Sequence, residues 1–449
     1  MKSKRSQVIQ KRIVKSILWL IIAPFILLGL TILIIQIPPV QKSLSKKLTT
    51  YLTEGTGYKT EIDYINLSWF NSLTLDGAKI YDADENLMIG VEELAVEFKL
   101  LSLIGEKGFQ TEEAWVYKAD VNLRYLNDSV GLNINDWVIQ LTSLSSNTDS
   151  SSKASAFIIN EIELVDSKFS IADKRKDSIQ QGFNYNQFQL ININGDLLNL
   201  KAKSDSFNLD VKFLTAEDQG SGMLVDEMST YFRYSTQGMH FLDLRLKSGK
   251  SRIARQISFL YDNPNQMSSF VDSVEILANL DASYLHTDDL SFFAPEVKDL
   301  NKGIGISGKY TGKLSDLVGE NTELSLGERT IIKGEIDLEG LPDIKNTFLD
   351  LSFKDSQIDP SDIEEFVSVQ NYEIIENFGQ IEFSGQFDGF INDFVADGQF
   401  DTDIGDINSN VKINLAEEIP KYDGYLELIA FDLGRFTEDS LYQKIDMAG

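Results

Sequence analysis

Hydrophobic and polar positions change their rhythm twice along the chain. From Ile17 to Ile37 there is no rhythm, because ILWLIIAPFILLGLTILIIQI carries no charge and is apolar at nearly every position. A helix of that length reaches about 31 Å, close to the hydrocarbon thickness of a bilayer. The run is too long for the core of a secretory signal, and Gln36-Ile37-Pro38-Pro39-Val40 has no small-residue pair to cut. It therefore predicts an uncleaved transmembrane anchor, represented by Ile17, Trp19, Leu20, Phe25, Leu28, Ile32 and Ile37. Pro24 and Gly29 within it are tolerable in lipid. Next, Val40, Leu44, Leu48, Tyr51 and Leu52 recur at helical spacing until Gly55 and Gly57. They predict an amphipathic capping helix over 38–57, lying on the membrane surface or plugging the end of a β-layer.

From Tyr58 onward the period is two. Phe207-Asn208-Leu209-Asp210-Val211-Lys212-Phe213 and Leu242-Asp243-Leu244-Arg245-Leu246 place apolar residues on one face and charges on the other. That is the pattern of antiparallel strands with one covered face. Asp76-Gly77, Asn194-Gly195-Asp196 and Asp388-Gly389 are turn signals. Residues 58–142 read as a first β-segment, the polar stretch Ser143–Ser155 as a linker, and 156–300 as a second β-segment. Residues 301–449 contain a repeat of about 77 residues. Ser307–Gly312 matches Ser384–Gly389, and Asp316 matches Asp393. Ile336, Leu338, Leu349 and Leu351 meet Ile413, Leu415, Leu426 and Leu428 at that offset. Short helical patches stand at Asp288–Phe293, Ser361–Phe366 and near Phe436–Asp439. The expected fold is mainly β: a single N-terminal span, then an elongated, curved antiparallel repeat sheet with short connecting helices, its array continuing past Gly449.

Charge settles orientation and partners. Six basic residues (Lys2, Lys4, Arg5, Lys11, Arg12, Lys15) precede the apolar run, which places the tail 1–16 in the cytoplasm. After it stand 35 Lys and Arg against 69 Asp and Glu, a net of −34, a field that repels nucleic acid and anionic lipid headgroups along its length. With no cysteine, the chain depends on burial and strand pairing rather than on disulfides.

The chemistry-bearing motifs fail in context. Gly303-Ile304-Gly305-Ile306-Ser307-Gly308 spells a dinucleotide fingerprint, but its alternation continues a strand. Gly308–Lys313 lacks the spacing and the Ser or Thr of a phosphate loop. Asp82, Asp84, Asn86 and Glu93 have calcium-loop spacing, but Leu87 stands where the turn needs glycine, so a solvated hairpin turn is expected. His240 and His286 are the two histidines, and no metal or nucleophile signature accompanies them. No enzyme activity, cofactor or metal is expected.

Taken together, the basic N-terminus, the span ending at Ile37-Pro38-Pro39-Val40-Gln41, and the helix Ser43–Leu52 resemble the N-terminal portion of a TamB-type protein of the AsmA-like superfamily. The entry strands Gly57–Tyr64 and Leu73–Asp82 and the Gly-strand-Gly segments Ser307–Asp316 and Ser384–Asp393 add to the likeness, which in overall style is to its Bacteroidetes members. The resemblance implies an inner-membrane anchor, a periplasmic β-groove with its apolar side inward, and phospholipid as cargo moved toward the outer membrane. TamB types are also linked to assembly of outer-membrane proteins through a barrel partner.

Elementary energetics agrees with a lipid bridge. At about 0.8 kcal/mol per exposed methylene, a 16-carbon tail crossing water faces a barrier on the order of 10 kcal/mol, which an apolar trough removes. Candidate lining residues are Ile336, Leu338, Leu349, Leu351, Ile413, Leu415, Leu426 and Leu428. The competing expectation is that they fill a closed sandwich core. A second functional expectation is a periplasmic scaffold that hands strands to an outer-membrane barrel by edge pairing.

Overall fold

The computed structural model describes residues 33–68, 71–98, 110–127, 131–145, 157–178, 182–184, 186–203, 206–293, 295–298, 300–366, 369–415, 421–439 and 441–449. The expected span, with Ile17, Trp19, Leu20, Phe25, Leu28 and Ile32, lies outside the described residues. Among the described residues no helix is long and apolar enough to cross a membrane. Ile37, the span's last residue, is exposed just before the first long helix. The chain divides into two compact units, Met1–Ser170 with Asn199–Ser204, and Ile171–Leu198 with Asp205–Gly449. Of the expected linker Ser143–Ser155, the first three residues are helical and the rest lies outside the described residues.

The first unit starts with α1 (Pro38–Thr56), stopped by Gly57 at φ 74°, whose N–H bonds to the Thr53 carbonyl at 2.9 Å. Strands β1 (Thr60–Glu61) and β2 (Tyr64–Ser68) both pair with β3 (Ser72–Tyr81). The ladder continues through β4 (Leu87–Phe98) to β5 (Gln110–Asn127), which pairs with β6 (Gly131–Leu132) and β7 (Phe157–Ala172). Helix α2 (Ile134–Ser145) packs against α1. On one face, Ile65, Leu75, Leu94 and Val116 stand directly opposite one another in successive strands. The Asp82–Asn86 segment is a hairpin turn, as its sequence suggests. Asp82 Oδ1 accepts the N–H of Asp84 and of Asn86, each at 3.0 Å.

Helix α1 corrects the stripe expected of it. Its buried residues are Gln41, Ser45 and Thr56, whereas Leu44 and Tyr51 are 37% and 56% exposed. The Gln41 amide donates to Asn66 Oδ1 at 3.1 Å and accepts from the Tyr64 hydroxyl. These hydrogen bonds to β2 turn a polar edge of the helix inward, because a buried amide must keep its partners.

The second unit holds β8 (Gln187–Lys203, its last residues assigned to the first unit), β9 (Ser206–Asp218), β10 (Leu224–Ser235), β11 (Gly238–Ser248), β12 (Ser251–Leu260) and β13 (Glu275–His286). Then come β14 (Gly303–Lys313), β15 (Asp316–Leu326), β16 (Thr330–Glu339), β17 (Phe348–Ile358), β18 (Ile381–Phe390), β19 (Asp393–Thr402), β20 (Gly405–Asn414), β21 (Lys421–Asp432) and β22 (Lys444–Ala448). From β9 to β22 every strand pairs antiparallel with the next in sequence. Within this unit the contacting elements are consecutive strands and short helices at strand ends, so the sheet is open rather than one half of a sandwich. Those helices are α3 (Phe270–Ser273), α4 (Thr287–Leu290), α5 (Pro360–Ile363), α6 (Val369–Glu376) and α7 (Leu433–Thr437), and three of them fall at the expected patches.

Bulges bend the strands at regular intervals. Asp243, Ala282, Asn321, Asp355 and Ala430 each sit at a register shift with φ between 48° and 51°. Behind two of these positions, and behind Asp166 (φ 50°) in the first unit, a serine repairs the ladder. Ser356 Oγ accepts the Lys333 N–H at 2.9 Å and donates to the Lys333 carbonyl at 3.1 Å. Ser283 accepts the Ala254 N–H at 3.0 Å, and in the first unit Ser167 accepts that of Ala119 at 3.2 Å. The hydroxyl takes the place of the backbone partner that the extra residue displaced.

Candidate functional site

Directly opposed residues in paired strands share a face, so register alone traces what each face of the second unit presents. One row runs Leu209, Phe232, Phe241, Ile257, Ala278, Tyr310, Gly319, Ile336, Leu351, Phe387, Ala396, Val411, Gly424. Beside it runs Phe207, Tyr234, Met239, Phe259, Ile276, Gly312, Leu317, Leu338, Leu349, Gly389, Phe394, Ile413, Tyr422. Neither row contains a charge. At about 4.8 Å per strand, both extend about 60 Å along the sheet from β9 to β21. Rings knit part of this face together: Phe232 and Phe241 lie 4.9 Å apart, and Phe387 and Phe394 4.5 Å apart. Burial on it raises the pKa of the Tyr234 and Tyr310 hydroxyls.

A third row on the same face is built of small residues. Thr322, Gly334, Phe353, Gly385, Gly398 and Ser409 follow one another from β15 to β20, with Phe353 the exception. A Cβ on Gly334 would meet the Ser352 carbonyl oxygen at 1.9 Å, and one on Gly385 that of Asp397 at 2.3 Å. At these two glycines, on either side of Phe353, the neighbouring backbone leaves no room for a Cβ. Larger apolar residues resume beyond this row, as in Phe383, Phe400, Ile407 and Leu428. The face thus carries a line of mostly small residues between two sets of larger apolar ones. The opposite face is charged, with Lys309 paired to Glu320 at 2.9 Å and Asp337, Asp350 and Asp388 standing directly opposite one another.

Of the candidate lining residues, Ile336, Leu338, Leu349 and Leu351 lie side by side in the two long rows, half-buried, and Ile413 continues the second. Leu426 and Leu428 lie on the same face but farther along β21, at a sealed cluster of Ile404, Leu428 and Phe431 that is packed by Phe378 and Phe436. Leu415 has left the strand and is 46% exposed. The repeat offset explains these differences. It is 77 at Asp316 and Asp393, which both open their strands. It falls to 75 where Leu338 and Ile413 occupy matching places, and to 73 where Leu349 and Tyr422 do. The bulge at Asn321 has no counterpart in β19, and the β16–β17 connection is longer than that between β20 and β21.

Sequence reasoning missed the aromatic half of the face, Phe232, Phe241, Phe259, Phe387 and Phe394. Their period-two placement in Phe232–Tyr234 and Met239–Phe241 was the available signal. The glycine fingerprint at Gly303–Gly308 lies within β14, as its alternation indicated. His240 faces Ser258 (Nδ1 to Oγ 3.1 Å), and burial, with Arg233 nearby, lowers its pKa. His286 caps α4 by accepting the Asp288 N–H at 3.2 Å. Both histidines have structural roles in this arrangement.

No protein-family model, curated protein or solved structure matches the chain.

Proposed function

We propose that this protein is a membrane-anchored bridge whose apolar face carries the acyl chains of phospholipids through an aqueous compartment. The observation that supports it best is the pair of uncharged rows from Leu209 to Gly424 and from Phe207 to Tyr422, most of whose residues are only half-buried on an open sheet. A core sealed by a second sheet would have buried these residues; here many remain available to a ligand. Tails lying along these rows keep their methylenes out of water, and headgroups remain outside the trough. In this reading the apolar run Ile17–Ile37 holds the chain in an inner membrane, with the acidic β-region in the periplasm and the basic tail in the cytoplasm. Transport is toward the outer membrane, and the activity is conduction rather than catalysis.

A photoreactive amino acid at Leu338, Leu351 or Ile413 should crosslink to phospholipid, and one at Asp388 on the charged face should not. Equal labelling of both faces, or none on the apolar face, would overturn the proposal. Crosslinks from the apolar face only to outer-membrane proteins would favour the scaffold reading instead. Leu338→Asp combined with Ile413→Asp should block lipid transfer between vesicles, since two carboxylates in successive repeats interrupt the apolar path.

A further inference from the structure

We infer that α1 is an interfacial helix that rests on an anionic bilayer, with Leu44 and Tyr51 in the lipid and Lys42, Lys46 and Lys47 at the phosphates. The inference rests on the anchor reading but assigns a surface that the trough does not use.

Two observations on α1 carry it. Its inward edge is already taken, because Gln41 bonds Asn66 and Tyr64, and Ser45 and Thr56 are buried. Among the described residues nothing covers Leu44 and Tyr51, which are 37% and 56% exposed, and Leu33, Ile34 and Ile37 are exposed just before the helix. At about 100° per residue, Leu44 and Tyr51 stand about 20° apart on the helix, and Lys47 lies about 40–60° to one side. Lys42 and Lys46 stand about 140–180° away, on the opposite side of the helix, so one apolar flank can face the lipid while the lysines lie toward the headgroup side, the layout of an amphipathic helix in an interface. A shallow recess beside them is lined by Ser43, Lys46, Lys47, Thr50, Tyr51 and Glu54; its lysines and hydroxyls are donors suited to a lipid phosphate, and the Glu54 carboxylate at its far end opposes one.

Charge and chain position select the occupant. The chain has a net charge of −28, yet no acidic residue precedes Glu54, so α1 is a basic surface on an otherwise acidic protein. An anionic headgroup layer is attracted to it and repelled by the acidic strands beyond Gly57. The apolar run ending at Ile37 also delivers α1 to the water boundary of any membrane the run enters. A second copy of the chain would bring the same lysines against one another.

The absence of cysteine makes the test direct. Nitroxide labels are placed singly on the full chain as Leu44→Cys, Tyr51→Cys and Asp388→Cys, reconstituted in vesicles of phosphatidylethanolamine and phosphatidylglycerol. Labels at 44 and 51 should be accessible to oxygen and shielded from a water-soluble nickel chelate, and the label at 388 should show the reverse. Lys42→Glu, Lys46→Glu and Lys47→Glu together should raise nickel access at 44 and 51 several-fold while the protein still floats with the vesicles. Chelate access at 44 and 51 equal to that at 388 would overturn the inference, as would shielding from both reagents, the sign of a protein partner. Lipid-exposed labels with no acyl crosslinks at Leu338 or Ile413 would leave α1 on the membrane and remove the trough.

Discussion

At Ser356 a single hydroxyl decides whether a strand can bulge without leaving a backbone N–H unpaired. Ser356→Ala should strand the Lys333 N–H and cost about 1–3 kcal/mol, read as a lower urea midpoint. Ala282 illustrates the other half of the device. It holds φ 48°, a conformation that costs a side chain about 1 kcal/mol, so Ala282→Gly should raise the midpoint slightly. In the first unit, Asp82 is 4% exposed and ion-paired with Arg124, and the Asn133 amide donates to it at 3.1 Å. Burial opposes its charge, but the Arg124, Asn133 and Asn86 donors win and hold its pKa down to about 2. Because the folded pKa is depressed, the stabilisation is full above the ordinary carboxylate range and is lost as pH falls toward about 2. The stability gap between the wild type and Asp82→Asn should close over that window. At neutral pH, Arg124→Met should cost about 3 kcal/mol by leaving a buried charge alone.

At the scale of elements, carboxylates on the short helices clamp the hairpin turns beside them. Asp362 accepts the backbone N–H of Thr330 at 2.8 Å, of Arg329 at 3.0 Å and of Glu328 at 3.3 Å. Asp289 does the same for the earlier turn, accepting from the Lys250 N–H at 2.9 Å and the Ser251 hydroxyl at 2.6 Å. Asp362→Ala should therefore speed amide exchange at residues 328–330 well before it affects distant strands. The charged face contains the opposite situation. Asp337, Asp350 and Asp388 confront one another across three strands, and like charges so placed repel. Asp350→Asn should stabilise the sheet by about 0.5 kcal/mol, visible as a raised melting temperature.

For the whole molecule, the net charge of −28 acts against compactness everywhere. Added salt should raise the melting temperature as it screens the repulsion, and a melting temperature indifferent to salt would show that local ion pairs outweigh the net field. The same field keeps an open sheet with an apolar face from associating with its own copies.

Period-two alternation was enough to read the chain as antiparallel strands, because which side of a pleat a residue occupies is local geometry. Ser307–Asp316 and Ser384–Asp393 likewise announced the repeat, each opening onto matching strands. The charged and apolar faces were legible for the same reason. Which residues meet across strands was not, since one bulge at Asn321 or one longer connection shifts every later partner. That is why Leu428 ended in a sealed cluster and Leu415 beyond its strand, while Tyr422 took the place beside Ile413. The inward turn of Gln41 on α1, and the close backbone approach at Gly334 and Gly385, likewise depend on atoms distant in sequence. Alternation is a property of neighbours, whereas register and close backbone approach exist only once separate strands are laid together.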